Sequence, residues 1–180
     1  LRFATACGSS SRLRLDLVLN DFVASALAVG KIQILSDGTP WRPLIHVQDM
    51  ARAIDWAANR SNEVGGDFLM VNTGSNDWNY QIKDLALAVK EQFSSIDLSI
   101  NENAEPDKRS YQVDFSLFNN LAPEYVPKID LIAAVNDIRI GLANFDFDDS
   151  SFRESNLIRL NVLRDHIKNN RLNNILEWQV

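Results

Sequence analysis

The sequence predicts an α/β fold in which the early strands form a parallel sheet and helices dominate the later part. In the first half, short apolar runs alternate with segments whose apolar residues recur at intervals of three and four. Strands that alternate with helices in this way build parallel sheets. The 180 residues, 46% of them hydrophobic and 23% charged, are enough for one domain with a buried core.

The chain begins with a predicted strand and a predicted helix. Residues 1–7 form an apolar run that ends at Gly8. The segment from Leu15 to Val29 is rich in alanine and leucine and stops at Gly30, a residue type common just after the last turn of a helix. A polar loop with serines and arginines joins the two.

A second strand and a second helix follow. Lys31–Leu35 places Ile32 and Ile34 on the same side, which is typical of a strand, and Asp37-Gly38 then forms a turn. A helix is predicted from about His46 to Asn59 because apolar residues fall at helical spacing. These residues are Val47, Met50, Ala51 and Ile54, with Asp49 in the first turn.

The sequence pattern in the middle of the chain predicts two further strands with a helix between them. Phe68–Val71 indicates a short buried strand after the Gly65-Gly66 turn, and Asp97–Ile100 indicates another. Asn79 is predicted to cap the intervening helix. The apolar positions of that helix are Ile82, Leu85, Ala86, Val89 and Phe93.

The last third is predicted to be mainly helical. A polar loop leads into an apolar strand at "YQVDF", residues 111–115, and Asp130 then caps a helix. The apolar stripe of that helix comprises Leu131, Val135, Ile138 and Leu142. The part from Phe152 to Trp178 is predicted as helix with Leu157, Leu160, Leu163 and Ile167 on one side.

Composition excludes several classes of partner. The net charge of −6 argues against a nucleic-acid partner. No apolar run reaches the roughly 20 residues that span a bilayer, so no membrane partner is expected. The single cysteine, Cys7, allows no internal disulfide and fits a reducing compartment, so a cytoplasmic location is expected.

Metal and nucleophile chemistry find little support in the sequence. Cys7 and His46 are interpreted as packed core residues, and His166 lies far from both. The acidic cluster of Asp146, Asp148 and Asp149 lacks the spacing of a calcium loop and is interpreted as a solvated connector.

Arg42 and Arg109 are the main candidates for ligand binding. Arg42 lies between Trp41 and Pro43, and the proline holds it in an extended conformation from which a guanidinium can bind a phosphate with two hydrogen bonds. Two alternatives stay open: an arginine stacked on tryptophan at the surface, and a salt bridge of Arg109 within its loop to Asp107 or Glu105.

The motifs "LRFATACG", "DGTPWRPLIHVQDMARAI" and "RSYQVD", in this order, resemble the C-terminal part of the NAD-dependent epimerase/dehydratase family. These extended short-chain dehydrogenase/reductases act on nucleotide sugars and have a Rossmann sheet that holds NAD and a smaller substrate-binding domain. The resemblance implies that residues 1–180 are the C-terminal substrate-binding portion, with strands near 1–7 and 68–73 in the Rossmann sheet. It also implies NAD or NADP as cofactor, a nucleotide sugar as ligand, and a homodimer as an oligomeric state to consider.

The resemblance assigns roles to individual residues. Arg42 and Arg109 match the two arginines that grip the diphosphate, and Asn20 matches a region whose asparagine contacts the same group. Thr5 stands where many members carry an asparagine that contacts substrate, which is a departure from the family pattern. Phe3 falls near a backbone contact to the nicotinamide amide.

The catalytic elements of the family are not found in this sequence. No tyrosine is followed by lysine at the fourth position: Tyr80, Tyr111 and Tyr125 are followed there by Asp, Phe and Ile. The glycine fingerprint for the dinucleotide pyrophosphate is also missing from the sequence. We therefore expect an epimerase or dehydratase, an enzyme of isomerase or oxidoreductase type, only in a longer parent protein, with the fragment inactive alone. The alternatives are a non-catalytic NAD-binding regulator of the same fold and a helical protein-interaction module.

Overall fold

The computed structural model describes residues 1–104, 109–144 and 147–179, and within them strands alternate with helices. The strands are β1 (Arg2–Phe3), β2 (Thr5–Cys7), β3 (Lys31–Ile34), β4 (Trp41–His46), β5 (Asn72–Thr73), β6 (Asn79–Gln81) and β7 (Asp97–Ile100). The helices are α1 (Val18–Ala28), α2 (Val47–Asn59), α3 (Ile82–Glu91), α4 (Ser116–Leu121), α5 (Leu131–Ala143) and α6 (Arg159–Lys168).

The strands form three small sheets. β4 lies in the centre of one of them, parallel to β2 and antiparallel to β6, with Cys7 opposite His46 and Arg42 opposite Tyr80. The pairs β1–β5 and β3–β7 are both parallel. The predicted fold class, α/β with parallel early strands, is confirmed.

The main core lies where α1 packs against α3, α5 and β3. Its buried side chains are apolar, and burial of each large one contributes about 1.5–3 kcal/mol. They include Leu19, Val23, Leu85, Val89, Ile138 and Leu142.

Several elements agree with their sequence patterns. In β3, Ile32 and Ile34 are buried, and β7 spans the predicted residues. The α5 helix begins where Asp130 accepts a hydrogen bond from the backbone N–H of Ala133 at 2.7 Å. Gly30 follows α1 with φ of 68°, a left-handed conformation that glycine adopts without strain.

The predicted helix is confirmed as α2, but the apolar residues that indicated it do not form its buried face. Ile54 is 53% exposed, whereas Asp49, Ala53 and Trp56 are buried. The buried Asp49 carboxylate binds the backbone N–H groups of Lys128 and Ile129, both at 3.1 Å. The buried face of α2 therefore includes an acid, which the spacing of apolar residues did not indicate.

The buried strand predicted at Phe68–Val71 is also wrong. Phe68 is 83% exposed, only Val71 of the run is buried, and β5 begins at Asn72. Gly65 and Gly66 both have positive φ, and the Leu69 side chain lies directly against Gly65. Leu69 therefore packs against the turn, while the residues on either side of it are exposed at the surface.

The predicted cap at Asn79 and the predicted strand at 111–115 are corrected together. Asn79 lies in β6, and its side-chain amide binds both the N–H (2.9 Å) and the carbonyl (3.1 Å) of Val113. Residues 111–115 do not form a strand, and side chains bind part of their backbone: Asn76 likewise accepts from the N–H of Phe115 at 2.8 Å.

The long C-terminal helix is much shorter than predicted. Within Phe152–Trp178 the only α-helix is α6, none of its residues is buried, and Leu160 is 51% exposed. The chain turns after Lys168 at Asn170, which has φ of 55°, and Leu172 then pairs with Trp178 in an antiparallel bridge. Of the acidic connector, Asp148 and Asp149 are described, and Asp146 lies outside the described residues.

A search of the described helices for one with the length and apolar character needed to cross a bilayer finds none.

Candidate functional site

Three of the predicted site residues line one cleft of about 620 Å³. Thr5 comes from β2, Arg42 from β4, and Arg109 from the segment that follows the polar loop. Tyr111 and the end of β3 complete the wall. Residues distant in sequence therefore share one concave surface, as the prediction for Arg42 and Arg109 requires.

Arg42 organises the edge of this cleft. Its Nη1 donates a hydrogen bond to the carbonyl oxygen of Trp41 at 2.7 Å and another to the carbonyl oxygen of Arg109. The guanidinium carbon lies 5.8 Å from the centroid of the Tyr111 ring. The aromatic side chain that faces the cation is thus Tyr111, which the sequence prediction had not included.

The segment 109–111 is held against β4 by hydrogen bonds, most of which involve its backbone atoms. Besides the bond from Arg42, the N–H of Tyr111 donates to the carbonyl of Trp41 at 3.3 Å, and the N–H of Trp41 donates to Ser110 Oγ at 3.0 Å. These contacts bring Arg109 to the cleft although it lies 67 residues after Arg42. The alternative salt bridges to Glu105 and Asp107 involve residues outside the described ranges.

Two carboxylates also line the cleft, and each has an arginine partner. Asp16 accepts two hydrogen bonds from Arg14, at 3.0 and 2.6 Å, and this contact lowers the pKa of the Asp16 carboxyl. Asp21 accepts two from Arg153, at 2.9 and 2.8 Å. The negative field that would repel an anion is therefore compensated at both carboxylates.

Asn20 does not reach the cleft. It is 2% exposed, its Oδ1 accepts from the N–H of Gly8 at 3.2 Å, and its Nδ2 donates to the carbonyl of Arg14 at 2.9 Å. The side chain holds the loop after β2 in shape instead of pointing toward a ligand. The structure thus separates Asn20 from the residues with which the sequence grouped it.

Phe3 lies in β1, half-buried, with its backbone opposite Thr73. Its ring packs against both smaller apolar clusters, which contain Trp56 and Ile45. The glycines of the chain lie at 8, 30, 38, 65, 66, 74 and 141, so no two have the G-x-G spacing of a dinucleotide loop. These residues do not fit a complete NAD site, and we derive no chemical step through the cofactor.

Cys7 and His46 are packed as predicted. Burial, and then the charges of Asp137 and Asp49, raise the pKa of the Cys7 thiol to about 12, so the thiol is not a nucleophile at neutral pH. His46 is 1% exposed; its Nδ1 accepts from the N–H of Gln48 at 3.3 Å, and its Nε2 lies 3.0 Å from an oxygen of Asp137. Asp137 also accepts from the N–H of Ser9 at 2.6 Å.

Metal binding finds no support in the described part of the chain, where no group of three or more His, Cys, Asp or Glu side chains could hold an ion. The cleft around Arg42 therefore offers cationic and hydrogen-bonding groups, without a described metal centre.

The comparisons with known proteins confirm the family resemblance for the first part of the chain. A model described as the NAD dependent epimerase/dehydratase family matches residues 1–72. This segment includes Thr5 and Arg42, whereas Arg109 lies beyond it.

Solved structures share the fold of about four fifths of this chain. An NAD-dependent NDP-hexosamine 5,6-dehydratase of tunicamycin biosynthesis matches with a TM-score of 0.68 and 18% identity, covering 82% of this chain and 46% of that one. A UDP-glucuronic acid 4-epimerase from Bacillus cereus, solved with a substrate analogue and NAD, matches with a TM-score of 0.59 and 19% identity, covering 80% and 44%. A monomeric L-threonine 3-dehydrogenase of metagenomic origin matches with a TM-score of 0.55 and 14% identity, covering 80% and 42%. The chain thus spans somewhat less than half the length of these proteins.

Proposed function

We propose that this chain is the substrate-binding part of an NAD-dependent nucleotide-sugar epimerase or dehydratase, and that its cleft grips the diphosphate of the nucleotide sugar. The observation that supports the proposal most directly is the shared cleft of Arg42 and Arg109. Two guanidinium groups on separate parts of the chain suit a ligand with two adjacent phosphates, because each can make charge-assisted hydrogen bonds to phosphate oxygens.

The surroundings of the arginines suit the same ligand. Asp16 and Asp21 are paired with Arg14 and Arg153, so their charges oppose a diphosphate less than free carboxylates would. Tyr111 is 48% exposed and adds an aromatic surface beside Arg42. The cleft of about 620 Å³ lies within the usual range for small-molecule sites.

The reaction would need a nicotinamide cofactor, NAD or NADP, held mainly by residues other than those in this chain. When bound, that cofactor accepts and returns a hydride. The role proposed for the present residues is to bind and orient the sugar donor. The fragment by itself is proposed to lack turnover.

The match to L-threonine 3-dehydrogenase makes a direct test of the ligand necessary, since L-threonine carries no diphosphate. The fold alone does not select a nucleotide sugar. The two arginines of the cleft favour a ligand with two phosphates, and titration of a nucleoside diphosphate tests this directly.

The test is calorimetric titration of UDP into the full-length protein and its Arg42→Ala and Arg109→Ala variants. Loss of a charged hydrogen bond to phosphate costs about 1.5–3 kcal/mol, so each variant should bind about tenfold to a hundredfold more weakly. Arg171→Ala is the matched control, since Arg171 pairs with Asp165 at the surface and does not line the cleft. UDP affinity that is unchanged in both cleft variants refutes the proposal.

The two substitutions should differ in one respect. Arg109→Ala keeps the carbonyl oxygen to which Arg42 donates, whereas Arg42→Ala removes the donor. Arg42→Ala is therefore expected to loosen the segment 109–111 as well as to remove a charge. The binding free energy lost in the double variant should be smaller than the sum of the losses in the two single variants, because the two residues interact.

A further inference from the structure

A second cleft lies between the loop after β2 and the C-terminal part of the chain. Its volume is about 630 Å³, and we call it the arginine cleft because Arg12, Arg14 and Arg159 line it together with His166 and Trp178. It shares no lining residue with the cleft of Arg42 and Arg109. A volume of this size can enclose a small organic ligand.

The arginine cleft is positively charged in a protein that is negative overall. Its described lining residues include three arginines and no Asp or Glu, whereas the whole chain has a net charge of −6. Arg14 is paired with Asp16, and the positive charge of Arg159 also acts on that carboxylate. Arg12 and Arg159 are both exposed. Arg159 is also the first residue of α6, where the helix dipole adds positive potential. Such a concentration of charge favours an anion.

The opposite wall is apolar and aromatic. Among its lining residues Leu13 and Leu172 are buried, and Trp178 is 67% exposed. The Trp178 ring lies 5.2 Å from the ring of His166, with an angle of 58° between their planes. An exposed tryptophan fixed in this way offers a surface on which another ring can stack.

We propose that the arginine cleft binds a small aromatic phosphate ester, with its phosphate toward Arg12 and Arg159 and its ring on Trp178. Charge and aromatic surface occur together here, so the cleft suits a ligand that contains both. This second binding site goes beyond the nucleotide-sugar function and does not depend on it.

The probe is phenyl phosphate, titrated calorimetrically into the full-length protein. Phenyl phosphate should bind saturably with one site, and both inorganic phosphate and phenol should bind at least roughly tenfold more weakly, since each lacks half of the contacts. Arg12→Ala, Arg159→Ala and Trp178→Ala should each weaken binding by roughly tenfold or more. Arg171→Ala, on the same C-terminal segment, should leave it unchanged.

Three outcomes overturn the proposal. One is the absence of saturable phenyl phosphate binding. Another is binding that Arg42→Ala abolishes and Arg159→Ala does not, which places the probe in the other cleft. The third is equal affinity for hexyl phosphate, which shows that the apolar wall takes an aliphatic chain. Trp178→Phe keeps a ring beside His166, so retained binding in that variant, with loss in Trp178→Ala, separates stacking from misfolding.

Discussion

The Cys7 thiol lies at the end of β2, 1% exposed, and donates a weak hydrogen bond to the carbonyl oxygen of Ile45 at 3.5 Å. Its pKa is raised from 9.0 to about 12, mainly by burial. The folded state therefore keeps the thiol protonated at pH values at which the unfolded chain releases the proton. Because the raised pKa belongs to the folded state, the stability that it contributes is complete below pH 9 and is lost as the pH rises toward 12.

This coupling predicts a pH dependence that Cys7→Ala abolishes. Between about pH 8 and about pH 10.5, the free energy of unfolding of the wild type should fall by about 2 kcal/mol more than that of Cys7→Ala. Urea unfolding of both proteins at the two pH values measures this difference. Parallel behaviour of the two proteins would show that the thiol titrates equally in the folded and unfolded states.

Single-residue roles were predictable from the sequence only where the reasoning concerned packing. Cys7 and His46 were interpreted as core residues because no second potential ligand stood near them, and both are buried. The role of Asn20 was not predictable in the same way. Its partners are the backbone groups of Gly8 and Arg14. Because every residue has such backbone groups, the sequence gives no sign of which ones a side chain will bind.

Among the elements, α2 and the segment before α5 are joined by one buried carboxylate. Asp49 is 1% exposed, accepts from the N–H groups of Lys128 and Ile129, and lies 2.8 Å from Nη1 of Arg52. Arg52 in turn donates to the carbonyl groups of Val126 and Glu124, at 3.1 and 2.7 Å. The side chains of Asp49 and Arg52 thus bind backbone groups of residues 124–129, as a neighbouring strand would do in a sheet.

Asp49→Asn should therefore destabilise the fold strongly. The amide can accept at only one of its two ends, so a buried N–H loses its partner and Arg52 loses its counter-charge. We expect a decrease of about 2–4 kcal/mol in the free energy of unfolding. The matched control is Asp55→Asn on the exposed side of the same helix, expected to change it by less than about 0.5 kcal/mol. Chemical denaturation measures both, and equal effects of the two substitutions would contradict the role of Asp49.

Features that depend on adjacent residues followed their patterns, whereas the buried face of α2 and the run at Phe68 did not. The Asp130 cap and the alternation of Ile32 and Ile34 are properties of adjacent residues, and both are confirmed. The inward face of α2 depends on Lys128 and Ile129, some 80 residues away. The same reasoning explains the run at Phe68, where a local apolar pattern found no described strand to pair with and stayed exposed.

At the scale of the whole molecule, Arg153 connects the C-terminal part of the chain to α1. It binds Asp21 through two hydrogen bonds, donates to Ser25 Oγ at 2.8 Å, and lies 4.7 Å from the centroid of the Phe152 ring. Asp21 lines the cleft with Arg42, whereas Arg153 does not. Arg153 does not line the cleft, but its positive charge compensates the Asp21 carboxylate and so changes the electrostatic potential there.

Arg153→Ala should weaken UDP binding severalfold although it removes no group that lines the cleft. Without its partner, the Asp21 carboxylate repels a diphosphate, and salt should screen that repulsion. Titrations at low and high ionic strength measure the effect, which should shrink as salt is added. Arg153→Lys should retain most of the affinity, because the charge remains. A loss in Arg153→Ala that salt does not reduce would indicate a structural cause instead.

The arrangement of the two cleft arginines could be predicted only in part. The "WRP" step showed that Arg42 would be held extended, and the family order placed Arg109 beside it. The bond from Arg42 to the Arg109 carbonyl was not predictable, since any residue at 109 would supply that oxygen.

The backbone docking of segment 109–111 has a consequence for how such a site can diversify. Two of the hydrogen bonds described between the segment and β4 end on its own carbonyl or amide atoms, which every amino acid other than proline provides. The side chains at 109 and 111 can therefore be exchanged while the loop stays attached. Selection could alter which ligand is recognised by changing those two positions, and the central strand beneath them would need no repacking.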